Sequence, residues 1–192
     1  MKPNTTNGKR KTKARGSHAE EILCAGFGGQ GIMFMGKLIA EAGLSGGKHV
    51  TWMPSYGAEV RGGTAYSMSK VSAFEIASPI ITNPDVLIAM NKPSLVKYEN
   101  MVKPGGTIIA NRSLIDESSK RRDVKVINIP MTDIASKLGS TKCANMIAIG
   151  AAVKRSKMLS IRNVTSALKG TLKDKEDLFL LNKQALEKGH RI

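Results

Sequence analysis

The chain has 192 residues, 41% of them hydrophobic, and a formal net charge of +15 at pH 7. This length can bury one substantial core and is too short for two full domains. No apolar run is long enough to span a membrane, and none near the start could form the core of a signal peptide, so we expect a soluble, cytoplasmic protein. Two cysteines are too few for an iron–sulfur cluster, which needs about four thiolates. The three histidines lack metal-ligand spacing.

The positive charge is concentrated at the N-terminus. Six basic residues and no acidic one fall within the first 18 positions, which leaves a net charge of +9 for the rest of the chain. A short segment rich in lysine, threonine, glycine and asparagine cannot bury enough surface to offset the entropy of ordering it. We therefore predict a disordered basic tail over residues 1–19 and one α/β domain over residues 20–192.

The predicted elements begin with a buried strand over residues 21–25, a glycine-rich turn over 26–31 and a helix over 32–44. A second strand over 48–53 leads into a long glycine-containing loop. Alternating or apolar runs then predict strands over residues 64–71, 85–90, 107–110 and 124–129. A helix over 93–102 begins at a proline, and four helices follow the last strand, over residues 131–138, 143–153, 160–168 and 174–188.

This order of elements predicts a three-layer α/β/α fold with a doubly wound, mostly parallel or mixed sheet. The strand at 64–71 follows the second strand too closely for a helical crossover, which favours a mixed sheet. The helices that follow the last strand make the C-terminal part of this single domain helical.

The glycine-rich turn fits the pattern G-x-G-x-x-G between a strand and a helix. Backbone amides and a helix N-terminus can cradle a phosphate in that setting, although such a turn can also serve only to pack helix against strand. A dinucleotide-binding domain needs an acidic residue about 20 positions further on. The second strand ends in Trp52-Met53-Pro54-Ser55-Tyr56, without an acid, which disfavours an NAD site.

The loop after the second strand places Tyr56, Glu59 and Arg61 among several glycines, at a strand end where open α/β sheets bind ligands. Arg61 can pair with a phosphate, with a carboxylate on a partner, or with Glu59 in the same loop. Asn145 lies at the start of an otherwise apolar helix. It either caps that helix, the reading we favour, or faces the glycine-rich turn.

Three segments together resemble a known family. They are Gly26-Phe27-Gly28-Gly29-Gln30-Gly31, then Pro54-Ser55-Tyr56-Gly57-Ala58-Glu59-Val60-Arg61-Gly62-Gly63, then Ala144-Asn145-Met146 with Gly150. The chain resembles the gamma subunit of 2-oxoacid:ferredoxin oxidoreductases over residues 21–190. The resemblance implies a complex that decarboxylates a 2-oxoacid on thiamine diphosphate, passes electrons through [4Fe-4S] clusters to ferredoxin and releases an acyl-CoA.

The resemblance also implies a division of labour. Thiamine diphosphate, Mg and the [4Fe-4S] clusters would be held by alpha and beta partner subunits, and by a delta (ferredoxin-like) subunit in complexes that have one. This chain would hold no cofactor alone and would be inactive alone. It would cover the active-site entrance and help to bind coenzyme A as co-substrate. The cofactor-binding residues implied are Gly28, Gly29, Gln30, Gly31, Tyr56, Arg61, Gly62, Gly63 and Asn145, with no catalytic or metal-binding residue among them.

Three questions stay open at the level of sequence. The sequence at residues 53–56 and 76–79 most resembles that of 2-oxoglutarate enzymes, and branched-chain 2-oxoacid and pyruvate enzymes are the alternatives. An NADP-dependent oxidoreductase, with Arg61 reading a 2′-phosphate, is the alternative enzyme. A basic nucleic-acid-binding protein is the alternative from another class, which the aromatic content of 4% and the lack of a reader motif disfavour.

Overall fold

A computed structural model describes residues 19–55 and 65–192. Within these ranges lie six strands and six α-helices, the last four of which follow the last strand, and short 3-10 turns follow α2 and precede α4 at Glu99–Met101 and Thr141–Cys143. The elements are β1 Glu20–Gly26, α1 Ile32–Ser45, β2 His49–Ser55, β3 Ala65–Ser72, β4 Val86–Ala89, α2 Lys92–Tyr98, β5 Thr107–Asn111, β6 Lys125–Ile129, α3 Met131–Lys137, α4 Ala144–Val153, α5 Ile161–Thr171 and α6 Glu176–Arg191.

The six strands form one sheet in the order β2-β3-β1-β4-β5-β6. β1, β4, β5 and β6 are parallel to one another, whereas β3 is antiparallel to both β1 and β2. Only nine residues separate the end of β2 at Ser55 from the start of β3 at Ala65, too few for a helical crossover, so β3 returns in the opposite direction. The predicted mixed α/β sheet is thus confirmed.

Both faces of the central strands are buried. Ile22 and Cys24 of β1 belong to the larger hydrophobic core, which packs against α1, α4, α5 and α6. The alternate residues Leu23 and Ala25 belong to a smaller core that α2 covers on the opposite face. This alternation explains why β1 is apolar at every position from Ile22 to Ala25, as expected for a parallel strand with helices on both sides.

Two local features refine the predicted elements. The helix predicted over 93–102 ends as an α-helix at Tyr98 and tightens into a 3-10 turn, closed by a hydrogen bond from the Val102 amide to the Glu99 carbonyl. In the C-terminal region, α4 and α6 cross at Gly150 and Gly189, where an added Cβ on either residue would overlap backbone of the other helix. Glycine permits this close approach.

At the amino ends of the parallel strands, ion pairs tie the sheet together. Lys103 Nζ lies 2.9 Å from Glu21 Oε2 and 3.1 Å from Asp85 Oδ1, and Lys70 Nζ lies 2.8 Å from Glu21 Oε1. The neighbouring Glu20 is buried and accepts a 2.5 Å hydrogen bond from the Ser156 hydroxyl. This end of the sheet is therefore held by charged side chains.

None of the helices in the described ranges is long and apolar enough to cross a membrane. Cys24 and Cys143 are both buried and not disulfide-bonded, and burial raises the pKa of Cys24 to about 12. The predicted tail falls almost wholly outside the described residues, so the boundary between tail and domain stays a prediction.

Candidate functional site

A cleft of about 190 Å³ opens at the carboxyl ends of the central parallel strands. The loops that leave β1, β4 and β5 meet the start of α4 there. Residues from all of these segments line the cleft, namely Gly29, Gln30, Met90, Leu114, Thr132, Thr141, Lys142, Ala144 and Asn145. Open α/β sheets bind ligands at this kind of edge.

Gln30 connects the glycine-rich turn to β4. Its Oε1 accepts hydrogen bonds from the Phe27 amide at 2.7 Å and from Asn91 Nδ2 at 3.2 Å. Its Nε2 donates to the Met90 carbonyl at 3.3 Å. The glutamine therefore holds the glycine-rich turn against the end of β4, while it also lines the cleft.

Two of the helices that begin at this edge, α2 and α3, are capped by asparagine side chains. Asn91 Oδ1 accepts a 2.9 Å hydrogen bond from the Ser94 amide in the first turn of α2. Asn111 Oδ1 accepts from the Met131 and Thr132 amides of α3 at 3.1 and 3.4 Å. These caps satisfy backbone donors that a helix cannot satisfy itself, so both helix ends are closed to a ligand.

The first turn of α1 differs from those of α2 and α3, because no side chain among the described residues caps it. Its N-cap residue is Gly31, with φ +74°, in the left-handed region that favours glycine. A helix of 14 residues that begins without a cap offers its first-turn amides and the positive end of its dipole to an acceptor from outside. The start of α1 is thus suited to an anion.

Asn145 lies against this helix start. The favoured reading that Asn145 caps α4 is wrong, because the N-cap of α4 is Cys143 and no side-chain cap is formed. The Asn145 amide instead packs so closely on Gly31 that a Cβ on the glycine would overlap Asn145 Nδ2. Its Oδ1 is buried and has no hydrogen-bond partner among the described residues. The sequence alternative, an asparagine that faces the first loop, is the one observed.

The other predicted site residues divide into two groups. Gly29, Gln30 and Asn145 line the cleft, whereas Gly28 is exposed beside it. Tyr56, Arg61, Gly62 and Gly63 lie outside the described residues, so their predicted roles stay predictions. The strand ends that flank that segment are at the same edge of the sheet, since Ala65 pairs with Gly26 at the end of β1.

Sequence reasoning missed Asn91, Asn111 and Lys142. Asn111 is the last residue of the buried strand β5, and Asn91 lies two positions beyond the end of β4. These positions could have marked both asparagines as polar groups at the ligand-binding edge. Asn111 also donates to Thr132 Oγ1 at 2.9 Å and to the Met90 carbonyl at 3.4 Å, which links β5, α3 and the Gln30 contacts. Lys142 is exposed in the 3-10 turn before α4. No motif in the sequence around it distinguishes it from the other exposed lysines.

The chemistry of the cleft is that of a binding site. Its described lining residues include one cation, Lys142, and no carboxylate. No group of three histidine, cysteine, aspartate or glutamate side chains that could hold a metal occurs in the described part of the chain. A helix start without a cap, glycine backbone and one lysine suit an anionic ligand better than they suit bond-breaking chemistry.

Comparison with known proteins points to one family. The family model described as pyruvate ferredoxin/flavodoxin oxidoreductase matches residues 21–192. Ketoisovalerate oxidoreductase subunit VorA of Methanothermobacter marburgensis is 34% identical over 169 residues, which are 88% of this chain and 35% of that protein. 2-Oxoglutarate synthase subunit KorC of the same organism is 34% identical over 160 residues, which are 80% of this chain and 86% of the relative.

Solved structures agree with the sequence relatives. The gamma subunit of a keto/oxoacid ferredoxin oxidoreductase from Geobacter sulfurreducens superposes with a TM-score of 0.79 at 26% identity, covering 90% of this chain and 96% of that one. A 2-oxoglutarate:ferredoxin oxidoreductase from Magnetococcus marinus, with 2-oxoglutarate, coenzyme A and succinyl-CoA bound, gives a TM-score of 0.82 at 27% identity and covers 90% of this chain and 30% of that one.

The described domain therefore corresponds to about a third of some relatives and to nearly the whole length of others. The chains that it matches almost from end to end include a subunit named gamma. This chain belongs to the pyruvate ferredoxin/flavodoxin oxidoreductase family, as a gamma subunit of the 2-oxoacid:ferredoxin oxidoreductase type.

Proposed function

We propose that this chain helps to bind coenzyme A and covers the active-site entrance of a cytoplasmic 2-oxoacid:ferredoxin oxidoreductase. Its partners are alpha and beta subunits, with a ferredoxin-like delta subunit where the complex has one. They hold thiamine diphosphate, Mg and the [4Fe-4S] clusters, and the complex reduces ferredoxin. The complex converts 2-oxoglutarate and coenzyme A into succinyl-CoA and CO2.

One observation carries the coenzyme A proposal: the start of α1 has no side-chain cap among the described residues and lies against Asn145, which lines the same cleft as Lys142. Coenzyme A is a polyanion, and its phosphates need amide donors and cations. The glycine backbone at Gly29 and Gly31, the first-turn amides of α1 and the Lys142 ammonium are such groups. Coenzyme A supplies the thiol that accepts the acyl group, while the residues of this chain bind and orient the coenzyme.

The covering role rests on apolar side chains around the cleft. Phe27, in the glycine-rich turn, is 40% exposed, and Leu114, which lines the cleft, is 46% exposed. Large apolar side chains exposed beside a binding cleft are typical of a surface that a partner covers. We propose that a thiamine-binding subunit packs on Phe27 and Leu114 and closes the cleft.

The choice of 2-oxoacid rests on the relatives. The KorC proteins are named as subunits of 2-oxoglutarate synthase, and one related structure contains 2-oxoglutarate and succinyl-CoA. The VorA relatives are named for ketoisovalerate, so a branched-chain 2-oxoacid is the competing substrate. Side chains beside the thiamine select the acid, and the two cysteines of this chain are too few to hold a cluster.

Reconstitution tests this proposal. The chain should show no activity alone. With its co-purified partner subunits it should support dye reduction that depends on 2-oxoglutarate and coenzyme A. Higher kcat/KM for 2-oxoisovalerate than for 2-oxoglutarate would contradict the substrate assignment. Oxidoreductase activity of the isolated chain with NADPH would contradict the subunit role.

Gly29→Ala tests the cleft itself. Gly29 has φ +89° and no atom within 4 Å of an added Cβ, so a methyl group there strains the backbone and projects into the open cleft. Gly47→Ala is the matched control, with φ +69°, equally open space and a position between α1 and β2. We expect the KM for coenzyme A of the reconstituted complex to rise on the order of tenfold for Gly29→Ala only. An equal rise in both variants would contradict binding at this turn.

A further inference from the structure

The surface between α5 and α6 forms a second, wider cleft that the proposed function does not use. It encloses about 450 Å³, and α5 contributes Ile161, Arg162, Thr165, Ser166 and Lys169 to its lining. The α6 side contributes Lys183, Glu187, His190 and Arg191. We refer to these nine residues as the α5–α6 groove.

The spacing of these residues shows that one stripe of each helix faces the groove. Positions 162, 165, 166 and 169 follow the three- and four-residue spacing of a helix face, and so do positions 183, 187, 190 and 191. Each stripe spans two turns, about 10 Å of helix. Val164 and Leu168 point to the opposite side of α5, into the hydrophobic core, which fixes the orientation of the groove stripe.

The groove is strongly cationic. Its described lining includes Arg162, Lys169, Lys183 and Arg191 but a single carboxylate, Glu187. The Oε1 atom of that carboxylate lies 3.9 Å from Lys183 Nζ, so Glu187 already forms an ion pair with Lys183. Within the described ranges, Arg162, Lys169 and Arg191 have no carboxylate within ion-pair distance. Three cations thus face one groove without a carboxylate partner among the described residues.

We propose that the α5–α6 groove is a docking site for an acidic segment of another protein. A groove between two helices accepts an extended or helical segment, and the unpaired cations select acidic side chains by charge complementarity. Ile161 and the aliphatic stems of the lysines and arginines provide apolar contact below the charges. Nucleic acid is the competing polyanion, and it becomes an outcome of the test.

The test compares two charge-reversal variants of the full-length chain. In the groove variant Arg162→Glu is combined with Lys169→Glu, both on the exposed side of α5. The matched control combines Lys120→Glu with Arg122→Glu, exposed residues between β5 and β6. Both variants change the net charge equally and retain residues 1–18, so a difference between them reports the groove alone.

The probe is a fluorescently labelled poly-glutamate peptide, followed by anisotropy at several salt concentrations. We expect the groove variant to bind on the order of tenfold more weakly than the wild type, the control to change much less, and the difference to shrink as salt is raised. Absence of binding by the wild type, or equal loss in both variants, would overturn the proposal. A labelled DNA duplex that binds more tightly than the peptide and also depends on the groove would assign it to nucleic acid instead.

Discussion

The two ends of the central sheet are held together by different chemistry. At the amino ends, Lys103 bridges Glu21 and Asp85. At the carboxyl ends, the uncharged amides of Gln30 and Asn111 bind backbone groups of neighbouring elements. Neutral amides satisfy the backbone without adding a carboxylate that would repel an anionic ligand or compete for the amides of α1. The buried and half-buried carboxylates that hold the sheet thus lie at its amino end, away from the proposed ligand.

The largest effect should follow from removal of Asn111. Its amide is fully buried and makes four hydrogen bonds, to Met90, Thr132 and the first-turn amides of α3. Asn111→Ala leaves several of these groups buried without partners, so we expect the free energy of unfolding to fall by about 3 kcal/mol. Chemical denaturation of the isolated chain measures this.

Asn128→Ala is the matched control for Asn111→Ala, because Asn128 is exposed and makes a side-chain bond to Ser118 alone at 3.0 Å. We expect it to cost less than about 0.5 kcal/mol. Similar costs in the two variants would mean that the Asn111 bonds do not hold the carboxyl end together.

A smaller effect is expected from the ion pairs at the amino end. Lys103→Met leaves Asp85 and Glu21 without the ammonium group between them. Loss of one partner of a fully buried pair costs roughly 3–5 kcal/mol. Because Lys103 is 34% exposed, we expect about 2 kcal/mol, reduced further at high salt.

Lys92→Met provides the comparison for Lys103→Met. The Lys92–Glu117 pair has its charged atoms 3.3 Å apart, and both side chains are largely exposed. Its loss should change the free energy of unfolding by less than about 0.5 kcal/mol. If Lys103→Met were no more costly than Lys92→Met, the ion pairs would not be what holds the amino end.

The difference between the two ends also explains what sequence could and could not predict. β1, β4 and β5 were predicted within two residues of their observed ends, because strands buried on both faces are continuous apolar runs. The contact between Asn145 and Gly31 joins residues more than a hundred positions apart, so no local pattern distinguishes it from a helix cap. The hydrogen bond between Lys103 and Glu21 joins residues 82 positions apart, so the periodicity of the sequence cannot predict it either.

Only part of the candidate site could likewise be predicted from the sequence. The glycine-rich turn could be identified because glycine adopts backbone conformations that other residues avoid, so closely spaced glycines mark a tight turn in the sequence itself. Asn91 and Asn111 act through the sheet register that brings the ends of β4 and β5 together, which only the assembled fold provides. Lys142 lines the cleft because the turn before α4 reaches the carboxyl edge of the sheet, and this packing joins segments that are far apart in the sequence.

The smallest expected effect is on the pH dependence of the free energy of unfolding. Two neighbouring carboxyl groups at the amino end, Glu20 and Glu21, should contribute to it differently. Burial raises the pKa of Glu20 above its ordinary value of 4.5, against the hydrogen bonds from Ser156 and Met158. Burial also acts to raise the pKa of Glu21, but hydrogen bonds from Lys70 and Lys103 outweigh it and the pKa is lowered. The two groups should therefore affect stability in opposite directions.

Glu20 favours the folded state most when protonated, so its contribution is full below pH 4.5 and is lost as the pH rises through its higher folded pKa. The contribution of Glu21 is present above pH 4.5 and is lost as the pH falls through its lower folded pKa. Relative to Glu20→Gln, the wild type should lose stability as the pH rises; relative to Glu21→Gln, it should lose stability as the pH falls. Denaturation of the three proteins between about pH 3 and pH 7 measures both slopes. Slopes of the same sign would show that the ion pairs of Glu21 do not overcome the cost of burying it, and that the amino end is not held by charge.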